Sequence, residues 1–246
     1  KAQEIAAEIG RIKPDILITS DDNAARYLVV PYFDGGNLPV VFCGINWSVS
    51  EYGFPSSNVT GMVEVAPVRP LLTWAGKLST EGKRGLYVGA DTFTEKKNYN
   101  QVVKVAGDMD MIVDAKLVDT LQDWQQAIEK AGDYDFILLG SSSGINDWSE
   151  EQAAQHVMKN AARPILTNNG WMMPFSMLGF AKIPEEQGEW AAQEALAILN
   201  GIPVDRLPVV ANRKWQLYEN TTLLRKAGIE LPANLRSRAK KYIQGM

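Results

Sequence analysis

The sequence predicts an α/β protein of two lobes, each Rossmann-like and built on a parallel sheet. Three observations carry this. Short apolar runs alternate with amphipathic stretches along the whole chain. The runs are filled by Ile, Val and Leu without polar alternation, as strands covered on both faces require. They also fall into two groups, 15–61 and 84–169, separated by the short polar stretch LSTEGKRG at 78–85.

Taken in order, the chain opens on KAQEIAAEIGRIKP, a helix over 2–12 that stops before Pro14. Strands are expected at DILITS (15–20), PVVFCG (39–44), RGLYVGA (84–90), MIVDAKLV (111–118), DFILLGS (135–141) and PILTNN (164–169). MLGFAKI (177–183) is an apolar stretch placed to cross from one lobe to the other. Further helices are expected near 23–33, 67–79, 95–107, 120–131, 149–160, 185–200, 219–227 and 233–244. The helix at 185–200 is amphipathic and ends at Gly201, a good residue for leaving a helix. IPVDRLPVV then reads as a further extended connection. The domain expectation is therefore 1–82 with 184–210 as the first lobe and 83–183 as the second. Residues 211–246 form a C-terminal segment packed near the connections.

Composition narrows the function. The chain has 246 residues, a formal net charge of −4 and no block of Lys and Arg, which argues against nucleic acid and anionic membrane surfaces as partners. No apolar run approaches the ~20 residues of a membrane span, so membrane insertion is not expected. The single cysteine, Cys43, excludes an internal disulfide framework, and one Cys with one His cannot supply a zinc set. Asp21, Asp22 and Asp91 could offer oxygens to a hard cation, but no calcium-loop spacing accompanies them, and no metal or cofactor is expected. No Gly-rich phosphate loop is present, and Asn58-Val59-Thr60 fits a glycosylation sequon.

Ligands of open parallel sheets bind beyond the carboxyl ends of the strands. After ILIT comes Ser20-Asp21-Asp22-Asn23, and after VVFC comes Gly44-Ile45-Asn46-Trp47. After LYVG comes Ala90-Asp91-Thr92-Phe93, after ILLG comes Ser141-Ser142-Ser143-Gly144, and after ILTN comes Asn169-Gly170-Trp171-Met172-Met173. Ser, Asp, Asn and Gly are also the ordinary residues of caps and turns. The large rings Trp47, Phe93, Trp148 and Trp171 in or near these loops tip the reading toward a pocket between the lobes. Gly140-Ser141-Ser142-Ser143-Gly144 matches the G-x-S-x-G nucleophile pattern, but the only histidine, His156, falls on the helix directly after it. A hydrolase triad places its histidine much later, at another strand end, so a serine hydrolase is the weaker alternative.

The run kPDILITSDDNAA, then PVVFCGIN, then SSNVTGM resembles the first lobe of substrate-binding proteins of ABC transporters of the tryptophan/tyrosine-type uptake family. RGLYVGADTFTEKKN is similar to the strand and "npsE.nS" loop that open that family's second lobe, and LYENTTLLRKAGIELPANL to its ending. The resemblance implies a type I periplasmic binding fold with two lobes on a multi-strand hinge, no catalysis, an extracytoplasmic location and an ABC permease as partner. A ligand-sensing domain joined to a downstream signalling module is the alternative.

The chain departs from the family at three places. A strand and helix of the first lobe would precede Lys1, so an N-terminal strand is expected to be missing. Gly44-Ile45-Asn46-Trp47 replaces the family's "DPv", and NGWMMPFSMLGFA at 169–181 replaces a shorter polar loop. The solute contacts expected are Ser20, Asp21, Asp22, Asn23, Asn46, Trp47, Asp91, Thr92, Phe93, Ser142, Ser143, Asn169, Trp171 and Met172. Asp22 or Asn23 is expected to cap its helix, leaving Asp21 to accept from an ammonium group. Trp47, Phe93 and Trp171 would stack on a flat solute, and Ser142, Ser143 and Asn169 would hydrogen-bond it. An amino acid or a small aromatic amine fits this set, and a purine-like base or another heterocycle fits it too.

Overall fold

The computed structural model describes residues Lys1–Tyr242. Its strands are β1 (Leu17–Ser20), β2 (Val40–Asn46), β3 (Val59–Glu64), β4 (Arg84–Ala90), β5 (Ile112–Val118), β6 (Phe136–Leu139), β7 (Ile165–Thr167), β8 (Leu178–Lys182), β9 (Val210–Ala211), β10 (Trp215–Glu219) and β11 (Lys240–Lys241). Its α-helices are α1 (Ala2–Ile12), α2 (Asp22–Ala24), α3 (Val30–Tyr32), α4 (Val68–Leu78), α5 (Phe93–Gly107), α6 (Leu121–Glu129), α7 (Glu150–Asn160), α8 (Pro184–Leu199), α9 (Thr221–Ala227) and α10 (Ala233–Arg236). A π-helical turn, Ala25–Val29, joins α2 to α3. Among the described residues no helix is long and apolar enough to cross a membrane.

The chain forms two compact units. Unit 1 is Lys1–Val65 with Ile183–Lys214, and unit 2 is Ala66–Lys182 with Trp215–Met246. Unit 1 holds a four-stranded parallel sheet in the order β1-β2-β3-β9, with β1 at an edge. Its core gathers Val29, Val40, Phe42, Ile45, Tyr52, Phe54, Val59 and Val63. Phe42 stacks on Phe54 with ring centroids 5.7 Å apart. Gly61 in β3 lies directly against the Phe42 ring, where any Cβ would collide. The side-chain nitrogen of Asn58 donates to the carbonyls of Phe33 and Leu38, and its oxygen accepts from Gly35 N–H, which closes the loop between α3 and β2.

Unit 2 holds a seven-stranded sheet in the order β11-β10-β8-β7-β6-β4-β5. Pairing is parallel from β5 through β8, antiparallel at β8–β10, and parallel again at β10–β11. The chain runs outward from β4 to β5 and then returns to β6 on the other side of β4. That reversal is the topological switch point where α/β sheets bind ligands. Trp124 of α6 is fully buried and meets Trp148 and Phe175 edge-on at 5.0 and 5.9 Å. Trp148 therefore belongs to a core cluster, with an aromatic edge-to-face arrangement that adds to its burial.

Several elements differ from the sequence expectation. The first unit boundary falls after Val65 rather than at 82, because α4 buries Val68, Leu71, Leu72 and Ala75 and packs on β6, β7 and β8 of unit 2. MLGFAKI holds β8, a full strand of the unit 2 sheet, and the chain passes from unit 2 to unit 1 at its end, between Lys182 and Ile183. The segment from 211 is divided: β9 pairs with β3 in unit 1 and β10 with β8 in unit 2. The helix expected at 233–244 ends at Arg236, because Lys240–Lys241 pairs with the β10 edge instead; residues 243–244 lie outside the described residues. β3 had no expected strand, since VTGMVE mixes polar residues and glycine into a segment that is nearly all buried.

Candidate functional site

In unit 1 the loops beyond β1 and β2 meet. Asp21 N–H donates to the Cys43 carbonyl at 3.0 Å, which carries the β1–β2 pairing one residue past the strand. The register of β2 against β3 shifts between Phe42 and Ile45, and Gly44 lies at this bulge with φ +70°. A bulge leaves backbone groups without ladder partners. Gln187, buried on α8, takes them up: its oxygen accepts from Gly44 N–H at 3.0 Å and its nitrogen donates to the Val63 carbonyl at 3.3 Å.

The acids divide the work differently from the expectation. Asp21 is the cap: its carboxylate accepts from Asp22 N–H at 2.6 Å while the side chain stays exposed. Its backbone has φ 80° and ψ 157°, a region occupied almost only by glycine and costly by on the order of 1–3 kcal/mol for other residues. Asp22 is 3% exposed and neither caps nor faces solvent. Its carboxylate accepts from Tyr52 OH at 2.7 Å, Asn46 Nδ2 at 2.8 Å and Asn46 N–H at 3.2 Å. Burial and this carboxylate push the Tyr52 phenol far above its ordinary range. Asp22 and Asn46 are therefore tied to each other, and Asp22 to Tyr52, at the base of the loop. Ser20 and Asn23 are exposed, and half-buried Trp47 takes a positive φ of 67° while its N–H donates to the Glu64 carbonyl at 3.0 Å.

In unit 2 the loops beyond β4 and β6 lie together at the switch point, where Ala90 N–H donates to the Ser141 carbonyl at 2.9 Å. Thr92 caps α5 by accepting from Glu95 N–H at 3.2 Å. Glu95 is 1% exposed. Its carboxylate accepts from Tyr87 OH at 2.7 Å, Asn98 Nδ2 at 2.8 Å and Ser141 N–H at 2.9 Å. Desolvation raises the Glu95 carboxyl above its ordinary range, opposed by these donors. Asp91 is exposed and pairs with Lys96 at 2.6 Å, and Phe93 is 43% exposed with Lys97 Nζ 5.7 Å from its ring centroid. Ser143 is exposed and Ser142 mostly buried.

Beyond β7 the short 3-10 helix Gly170–Phe175 sorts its residues by turn. Trp171 stands 55% exposed, while Met172 is 0% exposed. Met172 is therefore packed in the core. Asn169 is buried, its N–H donating to Thr167 Oγ1 at 3.0 Å. Next to it, Asn168 Oδ1 is a buried acceptor without a hydrogen-bond partner among the described residues. His156 lies on α7 beside Asn160, with Nε2 and Nδ2 3.2 Å apart.

The residues that sequence reasoning missed are Glu95, Gln187, Tyr52, Tyr87 and Asn98. Only Glu95 left a trace, as the T-x-x-E spacing of a capping box at Thr92–Glu95.

This architecture has close counterparts among solved structures. A Streptococcus pneumoniae ABC domain in complex with L-Trp matches at TM-score 0.76 and 15% identity, over 98% of this chain and 83% of the other. The ligand-free, open form of a Clostridium difficile substrate binding protein with adhesive properties matches at TM-score 0.75 and 16% identity, over 98% and 82%. The fold is that of type I periplasmic binding proteins. The same type I fold also underlies a LacI family transcriptional regulator from Bifidobacterium animalis, which matches at TM-score 0.62 and 12% identity over 88% and 80%. No family model matches the chain, and no curated protein does.

Proposed function

We propose that this chain is an extracytoplasmic solute-binding protein of an ABC importer, with an amino-acid-like or aromatic, heterocyclic solute held by the strand-end rims of its sheets. It carries out no catalysis. The observation that carries the reading is Asp21: an exposed carboxylate at a strand end, held in a glycine-type backbone conformation. Backbone strain of this kind persists at ligand clamps because the surroundings over-determine it. Each unit offers its own groups: in unit 1 Asp21 for a solute ammonium and Trp47 for a flat part, and in unit 2 the rings of Phe93 and Trp171 and the polar Ser143 with its loop amides. The L-Trp bound by the Streptococcus protein on the same fold supports this class of solute.

A thermal-shift screen against amino acids, aromatic amines and nucleobases tests it. A solute at 100 times its Kd should add ~2.7 kcal/mol of stability. Asp21→Ala and Trp171→Ala should each weaken its binding by ~1 kcal/mol or more in calorimetry. Unchanged affinity in both removes the site assignment.

A second reading is a ligand-sensing domain, favoured by the transcriptional regulator that shares the fold. Uptake of the labelled solute by cells with and without the gene separates the two, since a sensor leaves uptake unchanged.

A further inference from the structure

We propose that Glu95 is a positioning residue for solute binding: its buried carboxylate, without touching solute, sets the spacing of the loops Asp91–Phe93 and Ser141–Ser143. The proposal rests on the solute-binding reading above. Glu95 sits three residues inside α5 and reaches across the switch point to the Ser141 N–H, so one side chain ties the segment after β4 to the segment after β6. Tyr87 OH, from β4 itself, holds the same oxygen, Oε2. The space is reserved for it: a Cβ added at Gly140 or Gly89 would run into Oε2.

A carboxylate is an expensive way to fill this space. Burying a charge without a paired counter-ion costs several kcal/mol unless donors satisfy it, and here the hydrogen-bond donors are neutral. The charge of Lys182 offsets part of that cost. What the carboxylate provides is two acceptor oxygens that can fix three segments at once. Unit 1 repeats the arrangement independently. Asp22, beneath the Asp21 loop, accepts from a tyrosine hydroxyl, an asparagine amide and a backbone N–H, the same three donor types.

The test titrates the tightest-binding member of the screening panel, with L-tryptophan as the first probe, into wild type, Glu95→Ala, Glu95→Gln and Tyr87→Phe, with circular dichroism confirming each fold. Glu95→Ala should bind at least ~10-fold more weakly, and Glu95→Gln, which keeps an acceptor in place, should stay within ~3-fold of wild type. Hydrogen exchange at the Ser141–Ser143 amides should speed up in Glu95→Ala and not in Glu95→Gln, with β4 and β6 unchanged. If Glu95→Ala fails to fold, Tyr87→Phe carries the test: faster exchange in the loop with weaker binding supports the proposal, and wild-type values for both overturn it. A folded Glu95→Ala that binds like wild type overturns the positioning role alone, as does equal weakening in the Ala and Gln variants. A wild type that binds no member of the panel overturns the underlying solute reading.

Discussion

Beneath the rim of unit 1, Asp22 accepts from Tyr52, Asn46 and a backbone N–H; beneath the rim of unit 2, Glu95 accepts from Tyr87, Asn98 and a backbone N–H. The difference lies in the backbone above them. Asp22 directly follows Asp21, whose backbone takes φ 80°. Glu95 has one more methylene and sits a turn inside a 15-residue helix, so the Thr92 cap above it keeps an ordinary extended conformation. Two ways of holding a loop follow. Both units bury a carboxylate, and unit 1 adds a strained main-chain conformation at Asp21.

The largest effect should come from Asp22→Ala. It leaves the Tyr52 hydroxyl and the Asn46 donors buried without their acceptor, which should cost ~3 kcal/mol or more in equilibrium urea unfolding. A loss below ~1 kcal/mol would mean that the network relaxes easily and that Asp22 is not an anchor. A smaller change of opposite sign is expected at Asp21. Asp21→Gly relieves the backbone strain and should raise stability by ~1 kcal/mol while solute affinity falls ~10-fold. A drop in stability would show that the conformation is not strained.

The smallest effect concerns pH. Burial raises the Glu95 carboxyl, so the folded state holds its proton more tightly than the unfolded state does. That contribution is fully present below the ordinary glutamate range and is lost as pH rises through the raised folded value. Glu95→Gln cannot ionise, so its stability relative to wild type should grow between pH 4 and 7 in chemical denaturation. A gap independent of pH would place Glu95 back among ordinary carboxylates.

Much of the fold was legible because the unit 2 strands are uninterrupted apolar runs; RGLYVGA is β4 to the residue. β3 was not legible, because burial there depends on Gly61 making room for Phe42, a tertiary fact. The π-turn at Ala25–Val29 leaves no mark in composition. For the site, the rule about strand ends picked out loops that lie together within each unit, while the hydrogen-bond roles inside them are set by tertiary structure. Which of Asp21 and Asp22 caps the helix depends on one φ angle, and Trp171 and Met172 part company through a 3-10 turn. Glu95 stayed hidden because glutamate is almost always solvent-exposed, and its partners come from three separate segments.

The seal made by Asn58 has a practical side. The nitrogen to which an oligosaccharyltransferase would attach a sugar is already committed to the carbonyls of Phe33 and Leu38. Once unit 1 has folded, the Asn58-Val59-Thr60 sequon offers no acceptor, and a chain glycosylated before folding cannot complete that loop. Bacterial expression avoids the conflict; secretion from yeast or mammalian cells sets sugar transfer and folding in direct competition.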